Sequence, residues 1–201
     1  MIIKVCGMKE EQNIHALDLL QPTYIGLIFY EKSPRFIVKN EIPKTNAQKV
    51  GVFVNSNLEY IVAQAKEFKF KTVQLHGHEP ISLAKSLFEK GFKIIKNFSI
   101  LDTIDNEAMK AWQPFCDYFL FDTKGKGWGG NGEKFDWHLL QDYKLETPFL
   151  LSGGIAFEDV SEINKIKHKA FAGIDLNSKF EIEPGIKNIE QLKIFIDEIR
   201  K

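Results

Sequence analysis

Several stretches of the sequence place a chemically active side chain at the end of an apolar run. Cys6 ends IIKVC, His76 follows VQL, Asp122 ends DYFLFD and Asp175 ends AFAGID. A thiolate can accept a proton and a partly desolvated carboxyl group can donate one, so Cys6 and Asp122 are a candidate base and acid. The alternatives are a small buried residue at Cys6, a cap or ion-paired loop residue at Asp122, and a structural histidine at His76.

A second set of residues is typical of anion-binding sites. Arg35 lies in the loop sequence SPR, where its guanidinium group would match the two oxygens of a carboxylate; the alternative is a solvated surface charge. Gly153 and Gly154 would let backbone N–H groups approach a phosphate, and a helix beginning beyond them would favour the anion further. Asn177 and Ser178 would add donors in the same way. A plain turn is the alternative for the glycine pair.

Short apolar strands would position these side chains. Eight runs rich in Val, Ile and Phe span residues 2–6, 24–29, 49–54, 71–75, 92–98, 117–122, 148–152 and 170–175. Runs that are apolar on both faces are typical of parallel strands. Helical spacing or helix start and stop residues mark 58–69, 79–91 and 189–201 between or after these runs. The connections after the second and sixth runs are mostly loop.

This order of elements predicts an α/β fold, a (β/α)8 TIM barrel that occupies residues 1–201 as a single domain. A doubly wound sheet is the alternative, but the first turn, CGMKE, lacks the glycine pattern of the nucleotide-binding members of that class. In a barrel, active residues lie at the carboxyl ends of the strands, and phosphate often binds after the seventh and eighth strands. We therefore expect the thiol, guanidinium, imidazole and two carboxylates to meet at one rim.

The composition argues against several classes of function. Lys plus Arg and Asp plus Glu each number 27, so no net basic charge attracts nucleic acid or an anionic membrane. Two cysteines are too few for a disulfide framework, and the five histidines show no zinc-ligand spacing, so we expect no metal site. A sequence without a signal-peptide pattern or a long apolar run favours a cytoplasmic protein, and no obligate protein partner is evident.

Seven stretches, in order along the chain, carry a resemblance to one family. They are KVCGM (4–8), GLIFYEKSPRFI (26–37), VGVFVN (50–55), VQLHGHE (73–79), FDTKGKGWGGNGEKFDW (121–137), LLSGG (150–154) and GIDLNSKFEIEPGIKN (173–188). Together they are similar to the phosphoribosylanthranilate isomerases, (β/α)8 enzymes of tryptophan biosynthesis. One departure is that Lys179 and Phe180 stand where the family usually has Gly-Val. Lys179 would either supply charge to the phosphate turn or point to solvent.

The resemblance implies an Amadori rearrangement of N-(5-phosphoribosyl)anthranilate to the 1-deoxyribulose 5-phosphate. It implies that Asp122 is the general acid that opens the furanose ring and that Cys6 is the general base that removes the C2′ proton. It also implies a small-molecule phosphosugar as the binding partner and no cofactor, because the substrate's own nitrogen forms the Schiff base.

The resemblance assigns binding roles as well. Arg35 would hold the anthranilate carboxylate, and His76 and Asp175 are further expected substrate contacts. The phosphate would lie against Gly153, Gly154, Asn177 and Ser178. Other phosphosugar barrels are the alternatives: a pentose-phosphate epimerase needs metal ligands, an indole-glycerol-phosphate synthase needs a catalytic lysine, and a non-catalytic binding barrel would not need both Cys6 and Asp122.

Overall fold

The structure is a computed structural model that describes residues 1–38, 42–123 and 134–201. Eight parallel strands close into a barrel in which each strand pairs with its neighbours in chain order, and the eighth pairs with the first. The strands are β1 (Ile2–Cys6), β2 (Tyr24–Ile28), β3 (Gln48–Phe53), β4 (Thr72–Leu75), β5 (Lys93–Ile100), β6 (Tyr118–Thr123), β7 (Phe149–Leu151) and β8 (Phe171–Leu176). The predicted fold class is confirmed, and the predicted strands match these within about two residues.

Alternation along each strand divides the buried side chains between two cores. In β1, Ile3 and Val5 belong to the large core between the barrel and its surrounding elements, whereas Cys6 belongs to a smaller cluster inside the barrel. Successive side chains of a strand point to opposite faces, so Lys4 lies on the same interior face as Cys6. Both faces are buried, which is why the strands are apolar almost throughout.

Within the described ranges, six α-helices surround the barrel: α1 (Glu11–Asp18), α2 (Leu58–Phe68), α3 (Ile81–Glu89), α4 (Asn106–Lys110), α5 (Val160–Ile163) and α6 (Ile189–Ile199). The side chain of Asn57 caps α2 by accepting the Tyr60 N–H, and Asn188 caps α6 in the same way. The three helices predicted at 58–69, 79–91 and 189–201 are confirmed within about two residues.

The two connections with weak helical patterns contain little helix. Residues 29–38 and 42–47, between β2 and β3, include no helix, and residues 134–148, between β6 and β7, contain only a 3-10 helix at Trp137–Asp142. After β8 a short 3-10 turn at Ser178–Phe180 leads into a hairpin that the sequence did not predict. Its strands are β9 (Glu181–Glu183) and β10 (Ile186–Lys187).

Two predictions concern the chain as a whole: that it has no membrane-spanning helix and that it folds as a single domain. None of the helices in the described ranges is long and apolar enough to cross a membrane. The barrel strands run from Ile2 to Leu176, and α6 then packs against α1 and α5. That residues 1–201 fold as a single domain stays a prediction.

Candidate active site

All nine predicted site residues line one cleft at the carboxyl end of the barrel. The cleft has an empty volume of about 800 Å³, including its part that is open to solvent. The predicted residues on its wall are Cys6, Arg35, His76, Asp122, Gly153, Gly154, Asp175, Asn177 and Ser178. The ends of parallel strands meet at one rim, so residues more than 170 positions apart become neighbours.

A buried ion pair forms part of the cleft floor. Lys4 Nζ lies 2.8 Å from Asp175 Oδ2, and the two side chains are 0% and 5% exposed. Burial acts to lower the pKa of Lys4, but the Asp175 carboxylate and the Cys6 thiol outweigh it and hold this pKa above its ordinary value. Lys4 is therefore charged at neutral pH. Asp175 Oδ1 has no hydrogen-bond partner within the described residues, so it is available to a substrate hydroxyl group.

The Cys6 thiol is packed inside the barrel mouth. A Cβ atom on Gly26 of the neighbouring strand would lie 2.8 Å from Cys6 Sγ, so glycine is needed there for the thiol to fit. Burial raises the pKa of Cys6, and the positive charges of Lys4 and Lys187 offset part of that rise. The thiol is therefore protonated at neutral pH, and these two positive charges favour its thiolate form.

Asp122 lies at the end of β6, three strands from Cys6 around the barrel. Burial is the main reason that its pKa is raised to about 6, partly opposed by the hydrogen bond that Thr123 N donates to Oδ1 at 2.8 Å. A Cβ atom on Gly153 would lie 2.9 Å from the same carboxylate oxygen and 2.4 Å from Thr123 Oγ1. The β7 turn therefore encloses Asp122 closely, which accounts for its desolvation.

His76 is held as a neutral imidazole beside Asp122. Burial, followed by the positive charges of Lys4 and Lys96, lowers the pKa of His76 to about 4. Gln74 Nε2 lies 3.0 Å from His76 Nδ1 and orients the ring so that its Nε2 faces Asp122. That atom lies 3.7 Å from Asp122 Oδ2, which places His76 as a neutral neighbour of the candidate acid.

Arg35 faces the cleft, but one edge of its guanidinium group already has a partner. Its Nε donates to both carboxylate oxygens of Glu181, at 2.9 and 3.1 Å, and its Nη2 donates at 2.6 Å. Arg35 Nη1 has no acceptor among the residues that the structure describes. Arginine can pair along two edges, so the free edge remains available to a substrate carboxylate.

The predicted phosphate end consists of two turns. Gly153 and Gly154 have φ angles of 88° and 65°, which favour glycine, and no acceptor in the described ranges receives their N–H groups. The helix expected beyond them is short: a 3-10 turn at Phe157–Asp159 is followed by the four residues of α5, and its contribution to anion binding stays a prediction. The backbone N–H groups are what these turns offer an anion.

The departure from the family pattern places two different side chains in the second turn. Lys179 is exposed on the cleft wall, where it can add positive charge. Phe180 is fully buried, and its ring centroid lies 4.9 Å from that of Phe195 in α6. The departure therefore serves packing at one position and adds charge at the other. The glycine-rich segment of the family pattern at 124–133 lies outside the described residues.

Metal ligands are sparse in the cleft. Cys6, His76, Asp122 and Asp175 are the only His, Cys, Asp or Glu residues on its described wall, and Asp175 is already paired with Lys4. Across ranges 1–38, 42–123 and 134–201, no three His, Cys, Asp or Glu side chains are grouped closely enough to hold a metal ion.

Comparison with known proteins decides the family. A sequence model described as "N-(5'phosphoribosyl)anthranilate (PRA) isomerase" matches residues 3–198. The chain belongs to the phosphoribosylanthranilate isomerase family. A curated isomerase from Parabacteroides distasonis is 47% identical, with 99% of this chain and 93% of that protein covered. The family that the sequence motifs predicted is confirmed.

Solved structures of isomerases agree with the barrel. The crystal structure of the Thermotoga maritima isomerase is 30% identical with a TM-score of 0.83, and the match covers 100% of this chain and 99% of that one. A second isomerase structure is 28% identical with a TM-score of 0.77 and the same coverage. That protein was crystallised with reduced 1-(o-carboxyphenylamino)-1-deoxyribulose 5-phosphate.

The sequence analysis missed three charged residues of this isomerase's site: Lys4, Glu181 and Lys187. Lys4 carried a detectable signal, since a lysine two positions before Cys6 in an otherwise apolar strand must share its interior face. Glu181 was visible as the last position of the family's Ser-x-x-Glu pattern, but no role was assigned to it. Lys187 carried no signal, because it lies in a two-residue strand that no periodicity reveals.

Proposed function

We propose that this chain converts N-(5′-phosphoribosyl)anthranilate to 1-(2-carboxyphenylamino)-1-deoxyribulose 5-phosphate in tryptophan biosynthesis, with Asp122 as acid and Cys6 as base. Family membership supports the reaction. The observation that supports the residue roles is that a carboxyl group with a raised pKa and a thiol flanked by ammonium groups line one cleft, with donors for two anions beside them. A furanose with a carboxylate at one end and a phosphate at the other requires that set of groups.

In the first step Asp122 gives its proton to the furanose ring oxygen. The C1′–O bond breaks, and the anthranilate nitrogen's lone pair forms the C=N bond of a protonated Schiff base. A buried carboxyl group is suited to this step, because its raised pKa keeps a larger protonated fraction near neutral pH than an exposed aspartate has. Burial also makes the carboxylate that remains a stronger base than an exposed aspartate, so it is readily reprotonated.

In the second step Cys6 takes the proton from C2′. The C2′–H electron pair moves into the C1′–C2′ bond and neutralises the iminium nitrogen, giving an enolamine that rearranges to the ketone. Lys4 and Lys187 stabilise the thiolate electrostatically, and Lys4 is fixed in place by Asp175. The active form therefore has Asp122 protonated and Cys6 ionised, which is the less populated arrangement of the pair.

The remaining predicted residues have binding roles in this proposal. The free edge of Arg35 pairs with the anthranilate carboxylate, and Asp175 Oδ1 accepts a ribose hydroxyl. The turn of Gly153 and Gly154, together with Asn177 and Ser178 of the second turn, holds the phosphate. His76 is a neutral contact at the acid. We also propose a cytoplasmic location and catalysis without a metal or an organic cofactor.

Turnover tests the proposal directly. Freshly generated N-(5′-phosphoribosyl)anthranilate is mixed with enzyme, and its fluorescence is followed for the wild type, Cys6→Ala and Cys116→Ala. Cys116 is the matched control, since it is the other free thiol and precedes β6 at the opposite end of the barrel. We expect Cys6→Ala to lose about 10² to 10⁴ in kcat and Cys116→Ala to retain wild-type kcat.

Two outcomes would overturn parts of the proposal. A wild-type protein that binds the product but does not turn over substrate would favour a binding barrel over an isomerase. Full activity of Cys6→Ala would remove the thiol from the mechanism while leaving the isomerase function in place.

A further inference from the structure

A buried charge network behind the cleft wall links its two anion-binding ends. Glu181 accepts three hydrogen bonds from Arg35 and a fourth from Lys187 Nζ at 2.7 Å. Lys187 Nζ also donates to Asn177 Oδ1 at 2.8 Å. Arg35 and Asn177 reach the cleft wall, whereas Glu181 and Lys187 are not part of it.

Glu181 fixes the plane of the Arg35 guanidinium group. The bidentate contact uses the Nε–Nη2 edge, so the Nη1–Nη2 edge is the one left for a ligand. The side chains of Arg35 and Glu181 are 12% and 5% exposed, so water does not weaken this pairing much. A Cβ atom on Gly7 would lie 2.6 Å from Arg35 Cδ, so the arginine stem is also confined from the other side.

Lys187 fixes the amide of Asn177 by a simple constraint. An ammonium group can only donate, so the Asn177 carbonyl oxygen must face it. The amide nitrogen must then face the other way, and it has no acceptor in the described ranges. Asn177 therefore presents two N–H donors beside the predicted phosphate turns, as a phosphate requires.

The hairpin holds Glu181 and Lys187 together. They are paired across β9 and β10, and Gly185 in the turn donates its N–H to Glu181 Oε1 at 3.1 Å. Burial acts to raise the pKa of Glu181, but Arg35 and Lys187 outweigh it and hold this pKa below its ordinary value. Burial lowers the pKa of Lys187, and the Glu181 carboxylate opposes that fall. With Lys187 protonated, the trio carries one net positive charge, which a substrate carboxylate would balance.

We propose that the Glu181–Lys187 pair is a positioning unit that orients the donors of Arg35 and Asn177 toward the two anionic ends of the substrate. This inference rests on the proposed function, which assigns the substrate carboxylate to Arg35. The competing interpretation is that Glu181 occupies the place of the substrate carboxylate and must leave when substrate binds. The two interpretations predict opposite changes in affinity when the charge of Glu181 is removed.

The experiment compares two substrates that differ in one group. Phosphoribosylanthranilate carries the carboxylate and its phosphoribosyl-aniline analogue does not, so the ratio of their kcat/KM values measures carboxylate recognition. We expect Glu181→Gln to raise KM for the carboxylated substrate at least about tenfold, with kcat within about threefold of wild type, and to reduce the ratio by a similar factor. Glu183→Gln is the matched control, because it changes an exposed glutamate of the same strand and should leave the ratio unchanged.

Lys187 has a separate readout at the phosphate end. Inorganic phosphate is used as a competitive inhibitor, and we expect Lys187→Met to weaken its inhibition about tenfold while Glu183→Gln does not. Phosphate inhibition unchanged in Lys187→Met would remove Lys187 from the proposal. If Glu181→Gln does not fold, Glu181→Asp carries the test, since it keeps the charge but is too short for the same bidentate contact. We expect Glu181→Asp to lower the ratio of the two substrates' kcat/KM values at least about threefold.

Different outcomes separate this inference from the proposed function. A wild type that shows no preference for the carboxylated substrate, or an Arg35→Met variant that keeps the preference, would overturn the role of Arg35 itself. A preference lost in Arg35→Met but kept in both Glu181→Gln and Glu181→Asp would overturn only the positioning unit. A lower KM in Glu181→Gln would show that Glu181 competes with the substrate.

Discussion

The ends of β6 and β8 each place a carboxylate in the same cleft, but within the described ranges only one of them has a cationic partner at hydrogen-bond distance. Asp175 at the end of β8 pairs with Lys4 at 2.8 Å. Asp122 at the end of β6 receives a backbone hydrogen bond from Thr123, and His76, whose Nε2 lies 3.7 Å from its carboxylate, is held neutral. Burial raises the pKa of both carboxyl groups, but the charge of Lys4 opposes that rise at Asp175, whereas Asp122 has a pKa of about 6 and exchanges its proton near that pH.

The largest expected difference between the two carboxylates is in turnover. Asp122→Asn removes the transferable proton, so we expect kcat to fall by about 10² to 10⁴ with product affinity changed by less than about tenfold. Asp175→Asn removes the partner of Lys4 and a binding contact, so we expect its KM to rise more than its kcat falls. Steady-state kinetics with product titrations distinguishes them. The assignment would be wrong if Asp175→Asn lost as much kcat as Asp122→Asn and kept its affinity.

The next largest difference is in stability. Asp175→Asn leaves Lys4 buried without a charged partner, so we expect the free energy of unfolding to drop by about 3 to 5 kcal/mol. The double variant Lys4→Met, Asp175→Leu removes both charges and should recover most of that loss. Urea unfolding followed by circular dichroism measures each value. A double variant as unstable as the single one would show that the loss is not electrostatic.

The smallest expected effect is also on stability, but it is a gain in Asp122→Asn rather than the loss expected in Asp175→Asn. The pKa of Asp122 in the folded state, about 6, exceeds its ordinary value of about 3.9, so the folded state holds more protons in between. The contribution of Asp122 to the free energy of unfolding therefore falls as the pH rises from about 4 to about 6 and does not recover above it. Asparagine carries no charge to desolvate. We therefore expect Asp122→Asn to raise the free energy of unfolding by about 1 to 3 kcal/mol at pH 7.5 and by almost nothing at pH 4. An equal gain at both pH values would rule out the carboxylate charge as its cause.

Much of this comparison was predictable from the sequence. Asp122 and Asp175 end apolar runs, and a parallel barrel brings all such ends to one rim, so both residues could be placed in the site. Their difference could not be predicted with the same argument. It depends on Lys4 reaching Asp175 across the β1–β8 pairing, while Gly153 encloses Asp122 on the neighbouring turn.

The surrounding elements show the same limit. Strands and the longer helices follow from periodicity and capping residues, which are local in sequence. The β9–β10 hairpin does not, because it is held by buried charges rather than by an apolar pattern. Arg35 could be predicted as an anion ligand from its type and loop, whereas its pairing with Glu181, 146 positions away, could not.

The pH dependence of kcat/KM for N-(5′-phosphoribosyl)anthranilate, compared between the wild type and Asp122→Asn, tests the central claim most directly. The active form has Asp122 protonated and Cys6 ionised. Above pH 6 the protonated fraction of Asp122 falls as the thiolate fraction of Cys6 rises. We therefore predict that the wild-type value rises to about pH 6 and then stays level until the thiol ionises. The residual activity of Asp122→Asn should keep rising about tenfold per pH unit, since only the thiolate fraction then matters. The substrate phosphate titrates equally in both experiments and cancels. Parallel profiles for the two proteins would contradict the assignment of Asp122 as the acid.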